Sequence, residues 1–389
     1  MEALTRRALI AGAGTGAALA LPLAAQRMVD LHLPGGPSAR PMAPRFPQKG
    51  EMIVQRIRPP LFETPFEVFD QGVFTPNDRF FVRWHWADIP ASIDAAAYRI
   101  AVRGAVRTPL SLSLSELLRA GEHVEVAAVN QCAGNSRGLF EPRVAVAEWA
   151  NGAMGNALWK GVRLRDVLDK AGIGANAKFV RFGGLDKALV EGAPRFLKSL
   201  PIDIARRDDV IVAFAMNGAA MPLLNGYPVR LAVPGWFSTY WVKMLADIEV
   251  LTGEDDNFWM AKAYRMPTVP VKLGDKGFPT APISTMPPRS WITGQTNGAT
   301  IALRGIAMGG DTGVAKVELL TGGATVAAAL GPDQGKYGFR RWSAALPSHT
   351  GEVVVRCTNA NGVTQPDAQA WNPGGYARNA VERIRLGRA

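Results

Sequence analysis

Short apolar runs separated by turn residues dominate this chain, and long helical periods are rare. The run Val124 to Val129 predicts a strand that passes into a tight turn of small and polar residues, Asn130 to Gly138. Tyr98 to Gly104 alternates as a strand, and Val180 to Phe182, Val210 to Ala215 and Val229 to Val233 read as buried strands. Two stretches read as helices. Ser113 to Ala120 has Ser113 as cap and Glu116 closing a capping box, and Val162 to Ala171 is ended by Gly172. Strands and helices mixed without strict alternation predict an α+β fold. From about residue 290 the pattern turns all-β. Trp291 to Thr293, Thr300 to Arg304, Ala315 to Leu320, Thr325 to Ala329 and Glu352 to Thr358 are short strands with Gly, Asn and Asp turns between them, the spacing of an immunoglobulin-like β-sandwich. No internal repeat is present.

Other stretches set the boundaries. Met1 to Ile10 carries Arg6-Arg7 ahead of a Gly/Ala/Leu run to about Ala25, which predicts a twin-arginine signal peptide over 1–27 and export to the periplasm. The run is mild and Gly-broken, and no other stretch is long enough to span, so no membrane span is expected once the leader is removed. Residues 28–60 are Pro-rich and predict an extended, irregular arm. A catalytic region over 61–265 follows. The remainder, 266–389, is a linker rich in Pro, Gly and Lys and then the β-rich region.

Composition narrows the function. With 48% hydrophobic and 20% charged residues among 389, disorder is excluded, and 41 Gly with 28 Pro fit a turn-rich fold. The formal charge is +11, but the basic residues are dispersed and form no block or groove-helix motif. That argues against nucleic acid and for an anionic substrate or cofactor. Only two cysteines occur, Cys132 and Cys357. One disulfide is allowed in a periplasmic protein, although Cys357 lies in a strand pattern and reads as a buried structural thiol. There is no C-x-x-C-H haem motif, and two thiols cannot hold an iron–sulfur cluster.

The candidate chemistry centres on Cys132. It sits where a strand enters a small-residue turn with Arg137 nearby in sequence, a setting that favours thiolate as nucleophile or metal ligand. Arg83 and His85 alternate with Val82, Trp84 and Trp86, so a strand would put cation and imidazole on one face as an anion-binding pair. Arg230 stands alone among apolar residues between Pro228 and Pro234 and needs an anionic partner. Trp236 to Lys243 brings hydroxyls, aromatics and a lysine together, as a polyanionic ligand site does.

Five segments in this order, FFVRWH (80–85), NQCAGNSRG (130–138), FGGLD (182–186), NGYPVRLAVPG (225–235) and WVKML (241–245), together resemble the sulfite oxidase family of molybdopterin enzymes. The resemblance runs from about Asp70 to Tyr264 and more loosely through the β-rich tail. Its wording is most similar to bacterial periplasmic sulfite dehydrogenases. It implies a mixed α/β molybdopterin-binding domain followed by the β-sandwich. It also implies oxidation of sulfite to sulfate, with electrons passed to a separate c-type cytochrome and no haem in this chain. By resemblance Cys132 is the thiolate ligand to molybdenum. Asp186, Asn225, Arg230 and the Trp241-Val242-Lys243 stretch hold the pterin and its phosphate, where Arg230 and Lys243 suit a phosphate as fork and point charge. Arg83, Arg137 and Tyr264 line an oxyanion pocket, with His85 beside Arg83 and Trp149 as pocket wall. Animal members carry histidine where this chain has Asn225. A further pocket arginine is expected from the β-rich region, with Arg340, Arg341 and Arg356 as candidates.

Other readings stay open at this level. A sulfur-dehydrogenase subunit of a thiosulfate-oxidising complex and a periplasmic sulfoxide reductase share the resemblance. A cysteine-nucleophile hydrolase using Cys132 and His85 and a secreted β-sandwich binding protein do not; the first leaves the twin-arginine leader and the basic segment around Arg230 unexplained, the second the Cys132 turn.

Overall fold

Three strongly paired strands carry the centre of the first region. His123–Gln131 pairs antiparallel with Met154–Arg163, which pairs antiparallel with Ile211–Met216. Arg230–Ala232 joins the outer side of Ile211–Met216. Ala128, Val129, Ala157, Trp159, Val162, Ile211 and Val212 are fully buried in this sheet, which explains its near-continuous apolar runs. Each large side chain buried there contributes roughly 1.5–3 kcal/mol. The structure is a computed structural model that describes residues 27–43, 48–348 and 350–386, so the leader expected over 1–27 lies, but for Arg27, outside the described residues.

A second sheet runs in the order Leu197–Pro201, Phe179–Gly183, Asp247–Leu251, Arg99–Gly104, Leu110–Ser113. Only its Asp247–Leu251 and Arg99–Gly104 strands are parallel. The longest helix, Leu164–Ala171, packs its Leu164, Val167 and Leu168 face inward and ends at Gly172 with a left-handed φ of +69°. It begins two residues later than the apolar spacing predicts, because Val162 and Arg163 are drawn into strand pairing with Val212 and Ile211. The short helix Leu114–Leu118 carries the expected capping box between Ser113 and Glu116.

Residues 28–60 are not an irregular arm. Met28–Asp30, Ala39–Ala43 and Met52–Arg56 form three strands of an antiparallel sheet completed by Leu61–Glu63 and Val82–Arg83. Met42, Met52, Ile53 and Val54 are buried, and this apolar contact overrides the proline-rich composition. Of the aromatic stretch 77–86 only Val82–Arg83 pairs as strand.

The β-rich tail is a sandwich of two four-stranded antiparallel sheets, one built on Arg289–Asn297, Thr300–Met308 and Arg340–Pro347, the other on Val314–Thr321 and Glu352–Asn359. Leu303, Leu319, Trp342, Val353, Val355 and Cys357 fill its interior. Burial pushes the Cys357 thiol up to about 12, which suits a structural role, and neither cysteine is in a disulfide. The core of the first region continues into the sandwich through Trp291, Ile306, Met308, Tyr337 and Phe339. Among the described residues no helix is long and apolar enough to cross a membrane.

Candidate active site at the seam

Cys132 emerges directly after the last paired residues of the central sheet, Gln131 and Met154. Its N–H donates to the Ala153 carbonyl at 2.9 Å, and its own carbonyl accepts from Asn135 N–H at 2.9 Å. The loop behind it is tightly bound. Ser136 sits at φ +66° and donates to Asn151 Oδ1 at 2.5 Å, and Asn135 Oδ1 accepts from Ala153 N–H at 2.9 Å. A Cβ on Gly134 would lie 2.3 Å from Arg137 Nη2, so only glycine lets the arginine fold back across the turn.

Cys132 lines a tight cavity of about 10 Å³ together with Arg83, His85, Ala133, Phe196, Ser238, Thr239, Trp241, Lys243 and Tyr264. Elements far apart in sequence meet here. Strand Val82–Arg83 brings Arg83 and His85 to the same side, as the alternation predicts. The 3₁₀ turn Ser238–Tyr240 sets Thr239, Trp241 and Lys243. Lys243 is half-buried, donates to the Arg83 carbonyl at 2.9 Å and lies 4.3 Å from the centre of the Trp84 ring. Burial, with Arg230 nearby, brings its ammonium down to about 7, while Asp186 pulls the other way. Burial raises the Asp186 carboxyl in turn, opposed by Lys243. His85 is held neutral, first by burial and then by Arg83, Lys243 and Lys198. Its Nε2 shares a hydrogen bond of 2.5 Å with the Tyr264 hydroxyl, and its ring stacks on Phe196 at 3.6 Å. Tyr264 itself adopts φ +56°, and burial raises its phenol.

Arg230 lies behind Trp241. Its guanidinium is fully buried, donates to the carbonyls of Asn225 (2.9 Å) and Trp241 (3.1 Å), and rests on the Trp159 and Trp241 rings. Burial lowers it to about 9. Asn225 is also buried and donates to the Phe81 carbonyl at 3.0 Å. Val242 fixes this layer, its carbonyl accepting from Leu231 N–H at 2.8 Å. Asp186 lines a neighbouring opening with Lys187 and Arg195.

Two residues that the sequence placed in the oxyanion pocket stand outside the cavity lining. Arg137 donates to Gly374 O (2.9 Å) and Ala147 O (3.1 Å) against the Tyr376 ring, and its charge reaches Tyr264 of the cavity wall. Trp149 is fully buried behind the same loop, its carbonyl accepting from Gly138 N–H. The three candidate arginines of the sandwich are bonded elsewhere: Arg340 to Gly331 O, Arg341 to Asp70 O and Arg356 to Asp367. What the sandwich brings instead is Tyr376, stacked on Tyr264 at 5.4 Å. Sequence reasoning also passed over Phe196 and Lys198. Their signal was a lysine at i+2 from an aromatic and i−2 from Leu200, the spacing of one strand face.

Several buried polar atoms here have no partner: Arg83 Nη1, Arg230 Nε, Asn225 Oδ1 and Thr239 Oγ1. Buried cations without carboxylate partners are costly, and an anionic group seated among Arg83, Arg230 and Lys243 would satisfy them. Among the described residues no three His, Cys, Asp or Glu come together as a metal site. A metal at Cys132 must therefore arrive with most of its ligands, and a soft thiolate suits it. These residues fit an anionic, metal-bearing organic cofactor.

The comparisons agree with that chemistry. Residues 86–259 match the family model described as oxidoreductase molybdopterin binding domain. Sulfite oxidase of Gallus gallus is 33% identical over 377 residues, covering 90% of this chain and 81% of its own. Mitochondrial sulfite oxidase of Homo sapiens is 33% identical over 355 residues, 85% of this chain and 64% of its own length. The crystal structure of the sulfane dehydrogenase SoxCD from Paracoccus pantotrophus superimposes with TM-score 0.71 at 22% identity, over 83% of each chain, and shares the fold. The chain is a molybdopterin-binding oxidoreductase by fold and sequence. It belongs to the sulfite oxidase family.

Proposed function

We propose that this chain oxidises sulfite to sulfate at a molybdopterin centre with Cys132 as thiolate ligand to molybdenum, and passes the electrons to a separate c-type cytochrome in the periplasm. The observation that carries the reading is a cysteine on a cavity flanked by Arg83 and Lys243, with Arg230 behind it and buried N–H groups unsatisfied at Arg83 Nη1 and Arg230 Nε. The family supports an oxidoreductase acting on sulfur donors. The Arg6-Arg7 leader supports export, and a chain without a C-x-x-C-H motif calls for an outside electron acceptor.

In this reading Arg230, Lys243, Asn225, Asp186 and the Trp241-Val242 backbone hold the pterin and its phosphate. When bound, the cofactor supplies two-electron oxygen-atom chemistry. Arg83 then binds the substrate oxyanion with its unpartnered Nη1 as a forked donor. Tyr264 directs its hydroxyl by the hydrogen bond to neutral His85, which fixes the phenol without adding a charge of its own. Trp241 and Phe196 supply apolar rings to the cavity wall. Arg137 ties the Cys132 loop to Gly374 and Ala147.

A sulfane substrate, as for a sulfur-dehydrogenase subunit, is the second reading. It is favoured by the second region presenting Tyr376, an uncharged ring, where an oxyanion pocket gains from an arginine. A sulfoxide reductase is less well served, because a neutral substrate has no use for these cations. The test is expression in a host that makes the cofactor, molybdenum analysis, and cytochrome c reduction by sulfite. Cys132→Ser should fold, lose the thiolate ligand and lose sulfite oxidation. Most activity retained in that variant, or a molybdenum-free wild type from such a host, would overturn the assignment.

A further inference from the structure

Lys198 has no part in holding a cofactor, yet it is completely buried. It lies on strand Leu197–Pro201 opposite Phe182. Its Nζ donates to the Trp259 carbonyl at 2.8 Å and stands 4.5 Å from the centre of the Tyr240 ring and 5.3 Å from that of Tyr264. No carboxylate among the described residues lies within ion-pair distance of it. The acid that acts on it, Asp255, is already engaged by Arg181, Ser199 and the Asn257 N–H. The other charged or titratable groups facing it are Arg265, which opposes its charge, the two tyrosines, and neutral His85. One carbonyl and two aromatic faces repay only part of the cost of taking an ammonium out of water. A well-packed apolar side chain would serve the fold as well or better. Burial accordingly lowers this ammonium to about 7.

The surroundings show what the charge serves. Phe196, just before the strand begins, stacks on His85, while Lys198 within it rests on Tyr264. The two side chains thus brace the two halves of the His85–Tyr264 hydrogen bond from one short segment. Lys198 lies outside the cavity lining, one ring away from it. We propose that Lys198 is a positioning residue, a buried cation that holds Tyr264 in place and adds to the positive potential of the cavity, so that the site selects an anionic sulfur substrate. This rests on the reading of the cavity as an oxyanion site.

The test compares wild type, Lys198→Met and Lys198→Arg as cofactor-loaded enzymes at pH 6, where the Lys198 ammonium carries its proton. Sulfite KM and kcat, competitive inhibition by inorganic sulfate, and the melting temperature are measured on each. A charge about one ring from the substrate changes affinity roughly tenfold at the effective dielectric of a protein site. Lys198→Met should melt no lower than wild type, raise KM and the sulfate inhibition constant by about that factor, and leave kcat within a few-fold. Lys198→Arg should return KM most of the way. Unchanged KM and sulfate inhibition in Lys198→Met would overturn the proposal. If Lys198→Met does not fold, Lys198→Gln takes its place under the same criteria. If wild type does not oxidise sulfite, it is the sulfite reading that fails. Equilibrium binding of sulfate to wild type and variant then decides the role of Lys198 separately: weaker binding in the variant supports it, and equal binding overturns it.

Discussion

Lys243 shows how a site built for an anion behaves before the anion arrives. Its ammonium is held near 7 by burial, below the usual 10.5. Below pH 7 both folded and unfolded chains carry the proton, and the fold bears the full desolvation cost. Between 7 and 10.5 the unfolded chain holds a proton that the native state has shed, so native stability rises with pH through that window. Lys243→Met removes this slope. The cofactor-free variant should be more stable than wild type at pH 6, on the order of 1–4 kcal/mol, with the gap closing toward pH 10.5. Urea denaturation at the two pH values checks it, and a constant gap would show that Lys243 keeps an ordinary affinity for its proton. Arg83 makes the complementary case, because its Nη1 is poised without a partner. A charge-assisted hydrogen bond is worth about 1.5–3 kcal/mol, so Arg83→Gln should raise the sulfite KM about ten- to a hundredfold. Steady-state kinetics on molybdenum-loaded variant decides it, and an unchanged KM removes Arg83 from substrate binding.

At the scale of elements, the loop after His123–Gln131 does the most with the fewest residues. Gly134 makes room for Arg137, and Arg137 ties the loop to Gly374 and Ala147. Gly134→Ala places a methyl group against the guanidinium, and overpacking of this kind costs about 1–3 kcal/mol. A lower melting temperature with weaker molybdenum retention is expected; an unshifted melting temperature would mean that the arginine gives way freely. This loop was legible because a strong apolar strand ends abruptly in small polar residues, and both helices were legible from Ser113, Glu116 and Gly172. The arm was not legible. Met52-Ile53-Val54 is too short for a period, and its strand exists because Ala39–Ala43 and Leu61–Glu63 are there to pair with it. Lys198 was missed for a related reason, since lysine is read as solvated unless the strand faces on both sides of it are known. Phe196, Tyr264 and Tyr376 meet only through tertiary packing, and no local spacing marks them.

The whole molecule places Cys132 where its two regions join. The sandwich reaches the cysteine loop through three bonds: Ala377 N–H to Ala133 O at 2.8 Å, Arg137 to Gly374 O, and Arg289 to Asn151 Oδ1 at 2.9 Å. Asn151 Oδ1 is the atom that also accepts from Ser136 in the loop, so Arg289 connects the first strand of the sandwich to the backbone beside the sulfur. Arg289 is fully buried and donates to Glu382 at 2.6 Å, as Arg378 does at 2.9 Å. Burial alone would raise the Glu382 carboxyl, yet Arg289 and Arg378 hold it below its usual value. Such a group stabilises the fold above its unfolded pKa, and that contribution is lost as pH falls through the lower, folded one. Removing one partner of a buried pair is strongly destabilising, so Arg289→Met should cost about 3–5 kcal/mol at pH 7. Below about pH 4.5 the deficit should shrink, because a protonated Glu382 no longer needs the missing charge. If the seam transmits to the site, the same variant should also retain molybdenum less well than a sandwich-core control of equal stability, such as Leu303→Ala. Equal retention in the two would confine Arg289 to joining the regions, with no influence on the cysteine loop.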